Sequence, residues 1–271
     1  MQFKTTARWM TALRLRDALR SVESDLLGWE FPPIDLAIAE APIAADPAGT
    51  WCLRCGETVG TGEQTERGCA SCRGSSTPLE RFIRLGEYQP PLSTRVLQIK
   101  YARWHAMAGE LGRRLGVQVR ESLPSGRQPA AVVSMPMPWI RSWWRGIDHA
   151  SEIASGVASQ LGIPLLHPLI QRPGPTQTSR SRTERRRATD RIFVRRRARD
   201  TIRALGSLLI VDDVRTTGAS VHQAALALQE AGASEVIGAV LAVVPNPRRR
   251  IERGRTLVEE CRAAENPAES P

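Results

Sequence analysis

The sequence predicts an α/β protein: a parallel sheet with helices on both faces, preceded by a small cysteine-bearing module. Three observations lead there. From Gln128 onward, short aliphatic runs alternate with amphipathic stretches of helical period, as in strand–helix–strand units. The run "LLIVDD" (Leu208 to Asp213) is apolar at consecutive positions, as a strand covered on both faces must be. Four of the five cysteines fall in two Cys-x-x-Cys pairs, "CLRC" and "CASC".

Taken in chain order, residues 1–48 read as a helix followed by a linker-like stretch. Trp9, Leu13, Leu19 and Leu26 recur at helical spacing, and "FPPIDLAIAEAPIAADPAG" is rich in Pro and Ala. Arg and Asp interrupt the first segment, so it lacks the apolar centre of a secretory signal. Residues 49–75 form the cysteine module. Residues 80–245 form the main domain, opening with "ERFIRLGEY" as a strand and two consecutive helices in "PLSTRVLQIKYARWHAMAGELGRRLGVQVRESL". There follow "AAVVSMPM" (strand), "HASEIASGVASQLG" (helix), "IPLLHPLI" (strand), "SLLIVDD" (strand), "ASVHQAALALQEAGA" (helix) and "EVIGAVLAVV" (strand). Residues 246–271 read as a basic helix and a disordered tail ending "AAENPAESP". No run approaches the roughly 18 apolar residues of a membrane span. A cytoplasmic protein is expected, with its oligomeric state open.

The net charge of +10 is local. Between Arg172 and Arg203, twelve arginines face only Glu184, Asp190 and Asp200, a net of +9. The rest of the chain is close to neutral. Lysine occurs only at Lys4 and Lys100, so Arg, whose planar fork suits phosphate, carries nearly all the positive charge.

Cys52, Cys55, Cys69 and Cys72 lie in two pairs separated by thirteen residues, a spacing that lets four thiolates surround one Zn²⁺. Gly56, Gly68 and Gly74 suit the tight knuckles that aim amides at sulfur. Two disulfides are the alternative, which the absence of an export signal disfavours. A four-thiolate site is closed, so its zinc is structural and not catalytic. Cys261 stands alone near the tail.

The chemistry concentrates in "LLIVDDVRTTGAS". Ligands of parallel sheets sit beyond the carboxyl ends of the strands, where Asp212 and Asp213 fall. Val214, Arg215, Thr216, Thr217, Gly218, Ala219 and Ser220 then lead into a helix whose first N–H groups are unsatisfied and carry partial positive charge. Gly218 removes a Cβ where a ligand approaches, and the hydroxyls of Thr216, Thr217 and Ser220 add donors. Such a turn holds a phosphate. The carboxylates accept hydrogen bonds from vicinal sugar hydroxyls. A ribose phosphate fits both halves. A P-loop NTPase would need Gly-x-x-x-x-Gly-Lys-Ser/Thr, and neither lysine lies in that setting; no Gly-x-Gly-x-x-Gly follows a strand either. A solvated turn with an acidic N-cap explains one aspartate but not the ordered string.

These residues resemble the phosphoribosyl-pyrophosphate signature of type I phosphoribosyltransferases. With the upstream cysteine pairs, the chain resembles the ComF/GntX family, the competence protein F type, over roughly residues 50–245. "YQPPLSTRVLQIKYARWHAMAGELG" is similar to the family's segment around a Lys-Tyr pair (Lys100, Tyr101). "MPMPWIRSWWRGIDHASEIA" is similar to its Pro-x-Pro segment leading to Arg145 and Gly146. "QTSRSRTERRRATDRIF" is similar to its Gln-to-Phe arm, with Gln177, Arg185, Arg187 and Phe193 matching. The chain departs from the family pattern at Ile147, Asp148 and His149, and at Ala188.

The resemblance implies phosphoribosyl pyrophosphate bound with Mg²⁺, its 5-phosphate on Thr216–Ser220 and its ribose hydroxyls on Asp212 and Asp213. Arg145 joins the catalytic set. Pyrophosphate departs through an oxocarbenium-like state toward an unidentified acceptor base or amine. The arm 177–191 reads as a mobile cationic cover or, equally, as a solvated basic loop. His222 reads as structural, and His105, His149 and His167 show no clustering that suggests a metal. The alternative function is a non-catalytic competence role, in which the zinc ribbon and Arg-rich arm bind ssDNA or the DNA-uptake machinery. A phosphate sensor without transfer chemistry is a third reading.

Overall fold

The computed structural model describes residues 32–60, 63, 68–70, 72, 74, 76–102, 104–137, 148–172 and 192–246. The readings made for the N-terminal helix, Arg145, the arm 177–191 and the C-terminal tail (247–271) lie outside them. The chain divides into two compact units, Met1–Ala41 and Pro42–Pro271. In the first, Ile34–Glu40 forms a short helix (α1) inside the stretch read as a linker. The helix formers Leu36, Ala37, Ile38 and Ala39 outweigh the flanking prolines, and Pro33 sits at the N-cap, where its missing N–H costs nothing.

The second unit is organised by a five-stranded, all-parallel sheet. Its strands are β1 (Arg81–Glu87), β2 (Ala131–Ser134), β3 (Leu165–Leu166), β6 (Ser207–Arg215) and β7 (Glu235–Val243), in the order β1-β7-β6-β2-β3. Two further strands, β4 (Leu169–Gln171) and β5 (Ile192–Val194), pair antiparallel as a separate ribbon. "IPLLHPLI" therefore forms two strands rather than one: the chain breaks at His167-Pro168, and Pro168 has no N–H to continue a ladder.

β6 occupies the centre, as its unbroken apolar run requires. Leu208, Leu209, Ile210 and Val211 are all fully buried. Because successive strand residues face opposite ways, Leu208 and Ile210 pack with Val221, Ala224 and Leu228 of α6 (Ala219–Glu230). The other face is covered by α3 (His105–Ser122), which contacts β1 and β7, and α4 (His149–Leu161), which contacts β2 and β6. These two helices lie against each other along a glycine seam. A Cβ on Gly112 would run into the Ile153 carbonyl, and one on Gly156 into the Gly109 carbonyl. Only glycine lets the backbones approach so closely. α2 (Leu92–Ala102) follows β1, and α5 (Arg199–Leu205) precedes β6. α5 was not foreseen, because it is short and only Ile202 is buried, while Arg199, Asp200, Thr201, Arg203 and Ala204 are exposed and show no apolar stripe. Among the described residues no helix is long and apolar enough to cross a membrane.

Candidate functional site

Every strand of the parallel sheet delivers its carboxyl end to one edge, and the polar side chains gather there. Asp212 and Asp213 lie among the last four residues of β6, both half-buried. The strand runs two residues beyond the sequence reading: Val214 and Arg215 still pair with Ala242 and Val243 of β7. Each aspartate is fixed by its neighbour's amide. Asp212 Oδ1 accepts the Asp213 N–H at 2.8 Å, and Asp213 Oδ1 accepts the Val214 N–H at 2.6 Å. Lys100, from α2, places its Nζ 3.0 Å from Asp213 Oδ2. The sequence offered Lys100 only as part of a Lys-Tyr resemblance; its partner lies more than a hundred residues away, and no local pattern announces such a pair.

The electrostatics are unusual for surface acids. Burial, followed by the charge of Asp213, pushes Asp212 up to about 7, while Lys100 pulls the other way. Asp148 contributes to the same upward push on Asp212. Asp148 caps α4, its Oδ1 accepting the Ser151 N–H at 3.1 Å, and burial raises its own carboxyl. The signal was readable, since an Asp immediately ahead of a helical pattern is an N-cap. Ser134, at the tip of β2, bonds His167 Nδ1 at 2.8 Å. His105 Nδ1 lies 4.0 Å from Glu152 Oε1, and His149 is buried at the start of α4.

Beyond β6 the chain turns through Thr216, Thr217 and Gly218 into α6. Thr216, Thr217, Ala219 and Ser220 are exposed, so this turn is open. Gly218 is the N-cap residue at φ 79°, a left-handed conformation that a β-carbon would strain. The first N–H groups of α6 point out of the helix end, as helix geometry dictates. Two carboxylates and a donor-rich turn thus stand three residues apart on one strand end. That edge can receive a ligand with hydroxyls on one side and an oxyanion on the other.

The four cysteines come together in the segment preceding β1. Sγ atoms of Cys52 and Cys72 lie 3.6 Å apart, those of Cys55 and Cys69 3.6 Å, and those of Cys69 and Cys72 3.9 Å. All four are free thiols within 4.8 Å of one another, grouped as one set of four ligands and not as two disulfide pairs. A tetrahedron of sulfurs with Zn–S near 2.3 Å has edges of about 3.8 Å, so the cluster has the dimensions of a four-thiolate zinc site. The Cys69 N–H points at Cys52 Sγ, at 3.3 Å. Gly56 and Gly68 take φ 76° and 88°, as the tight knuckles require. Cys52 is pushed down to about 4 by a hydrogen bond with Cys55. The same bond pushes Cys55 upward, and burial raises Cys72 to about 11. One thiolate forms readily; four together need a cation.

The module is anchored to β1. Trp51, fully buried, donates its Nε1–H to the Phe82 carbonyl at 3.2 Å. Arg84, 1% exposed, donates to the Gly56 carbonyl at 2.9 Å and pairs with Asp46.

No family model matches the chain. Among curated proteins, DNA utilization protein YhgH of Salmonella typhimurium is 33% identical over 172 residues, covering 62% of this chain and 74% of its own. The Salmonella typhi protein of the same name is 31% identical over 192 residues, covering 68% and 80%. The chain belongs to the competence protein F and YhgH family. Competence protein F of Haemophilus influenzae is 24% identical over 190 residues, covering 69% of this chain and 81% of its own. Among solved structures, a glutamine phosphoribosylpyrophosphate amidotransferase from B. subtilis aligns at TM-score 0.35 and 24% identity, over 50% of this chain and 26% of that one. A Trypanosoma cruzi hypoxanthine phosphoribosyl transferase aligns at TM-score 0.31 and 12% identity, over 57% and 74%. The architecture described above rests on strand order and register, not on these loose superpositions.

Proposed function

We propose that this member of the competence protein F family binds phosphoribosyl pyrophosphate with Mg²⁺ and transfers its phosphoribosyl group to an acceptor base or amine, releasing pyrophosphate. The observation that carries the reading is the pairing of Asp212 and Asp213 with the open Thr216–Ser220 turn at the end of the central strand. Asp212 and Asp213 accept the ribose hydroxyls. The turn and the α6 amides receive the 5-phosphate. Lys100, already at Asp213, keeps positive charge beside the sugar as the leaving group departs. Mg²⁺ bound with the ligand would supply charge neutralisation at the departing pyrophosphate, beside the carboxylates of Asp212 and Asp213. The chain's own share is positioning and electrostatic stabilisation. Cys52, Cys55, Cys69 and Cys72 hold a structural zinc.

The test is thermal denaturation with Mg²⁺ and phosphoribosyl pyrophosphate. Ligand at about a hundred times its Kd stabilises by about 2.7 kcal/mol, a rise of roughly 5–10 °C for a domain this size. Asp213→Asn should reduce the gain. No shift up to millimolar ligand contradicts the reading.

A second reading has its own support. The relatives' names refer to competence and DNA utilization, and Arg195, Arg196, Arg197, Arg199 and Arg203 are exposed around α5. A phosphate-backbone contact through these residues gives ssDNA binding that weakens with salt and with their neutralisation. Binding indifferent to both removes the arginines from that role.

A further inference from the structure

We infer that the four-cysteine module sets the shape of the Thr216–Ser220 turn, and that Glu57 and Arg215 are the positioning residues through which it does so. The inference rests on the reading of that turn as the phosphate seat.

Glu57 follows Cys55 by two residues and is 3% exposed. Its carbonyl oxygen accepts the Cys52 N–H at 2.8 Å, closing the first knuckle. Its side chain leaves the module. Oε1 accepts the backbone N–H of Asn246, just beyond β7, at 3.0 Å, and Oε2 lies 3.7 Å from Arg215 Nη1. A single residue therefore has its main chain inside the metal knuckle and its carboxylate at the carboxyl edge of the sheet.

Arg215 continues the connection. Its side chain, 14% exposed, runs beneath the turn instead of toward solvent. A Cβ on Gly218 would come within 3.2 Å of Arg215 Nε and 3.7 Å of its Cγ. The guanidinium also lies 5.9 Å from the Phe82 ring centre, and the same ring occupies the space a Cβ on Gly56 would need. The Arg215 carbonyl accepts the Val244 N–H at 2.9 Å, so the backbone at this point is held as well. Metal knuckle, Glu57, Arg215 and Gly218 form one contiguous line.

Physical chemistry gives that line its meaning. A carboxylate as buried as Glu57 must be paired, and a pair of this kind is a poor source of net stability. What it does supply is fixed geometry. The turn needs that, because its own residues are exposed and an amide-built anion seat works only when its donors are held within a fraction of an ångström. Arg215 is thus a strut beneath the seat and acts on the phosphate through the turn.

The test compares zinc-loaded wild type with Glu57→Gln, Arg215→Gln and the double variant, as full chains. Two readouts are taken: the Kd for phosphoribosyl pyrophosphate with Mg²⁺, and backbone hydrogen exchange across residues 216–220. Each single variant is expected to keep its zinc, weaken binding about tenfold and speed exchange in the turn. The double variant should be no weaker than the weaker single, because both changes cut the same link. Unchanged affinity and exchange in Glu57→Gln overturn the inference, as does a double variant whose loss is the product of the two single losses. If wild type fails to bind the ligand, the phosphate-seat reading falls, while exchange in the turn still judges the coupling. Should the variants fail to fold, chelation of zinc from wild type serves instead: faster exchange at 216–220 supports the link, and unchanged exchange overturns it.

Discussion

Asp212 should make the ligand-free protein less stable at the pH where it works. Its folded-state value of about 7 stands against 3.8 for an ordinary aspartate. The folded state therefore binds this proton more tightly than the unfolded chain, so its contribution to stability declines as pH rises. The decline begins near pH 4, where the unfolded group ionises, and is complete at about pH 8, above the folded value. At about 1.4 kcal/mol per unit, the full cost is about 4 kcal/mol at most. Asp212→Asn removes the titration and retains an Oδ1 to accept the Asp213 N–H that Asp212 now accepts at 2.8 Å. The variant should match wild type near pH 4 and exceed it by up to about 4 kcal/mol at pH 8, or roughly 10 °C in Tm. Chemical denaturation at the two pH values, with both proteins in parallel, measures this directly. The same variant should lose ligand-induced stabilisation, the usual exchange of stability for function at a charged site. A variant advantage equal at pH 4 and pH 8 would refute the claim that burial and Asp213 burden Asp212.

The remaining predictions concern the scaffold. Purified protein should carry one zinc per chain by elemental analysis, and Cys55→Ser or Cys69→Ser should abolish it; thiols intact without stoichiometric metal would contradict the four-thiolate site. On α4, Gly156→Ala puts a methyl against the Gly109 carbonyl and 3.0 Å from the Gly112 Cα, which are backbone atoms that cannot yield. Overpacking of about 3 kcal/mol, offset by about 1 kcal/mol of helix propensity, predicts a net loss near 2 kcal/mol in denaturant titrations. Gly109→Ala, whose Cβ would meet only the end of the Arg113 side chain at 3.9 Å, is the control and should be neutral or slightly stabilising.

What the sequence disclosed follows from the range over which each feature is determined. β6 was legible because a strand buried on both faces must be apolar at every position, and the following turn because Gly218 and its hydroxyl neighbours stand next to one another. The cysteine pairs were legible by spacing alone. β4 and β5 were not: each has three residues, and they find each other across a segment of twenty. The Pro168 that divides "IPLLHPLI" was a readable stop that its apolar neighbours obscured. Hidden altogether were Lys100 at Asp213, Arg84 at Gly56 and Glu57 at Arg215. Their partners are set by tertiary packing, and a charged residue in sequence looks the same whether it faces water or is buried beside its counter-ion.

The sugar-phosphate site itself is tested most directly by following backbone amide resonances while phosphoribosyl pyrophosphate and Mg²⁺ are added to the zinc-loaded protein. Saturable shifts centred on Asp212, Asp213 and residues 216–220, abolished by Asp213→Asn at the strand end, are the expected result. Shifts confined to the exposed arginines around α5, or none at millimolar ligand, would contradict it.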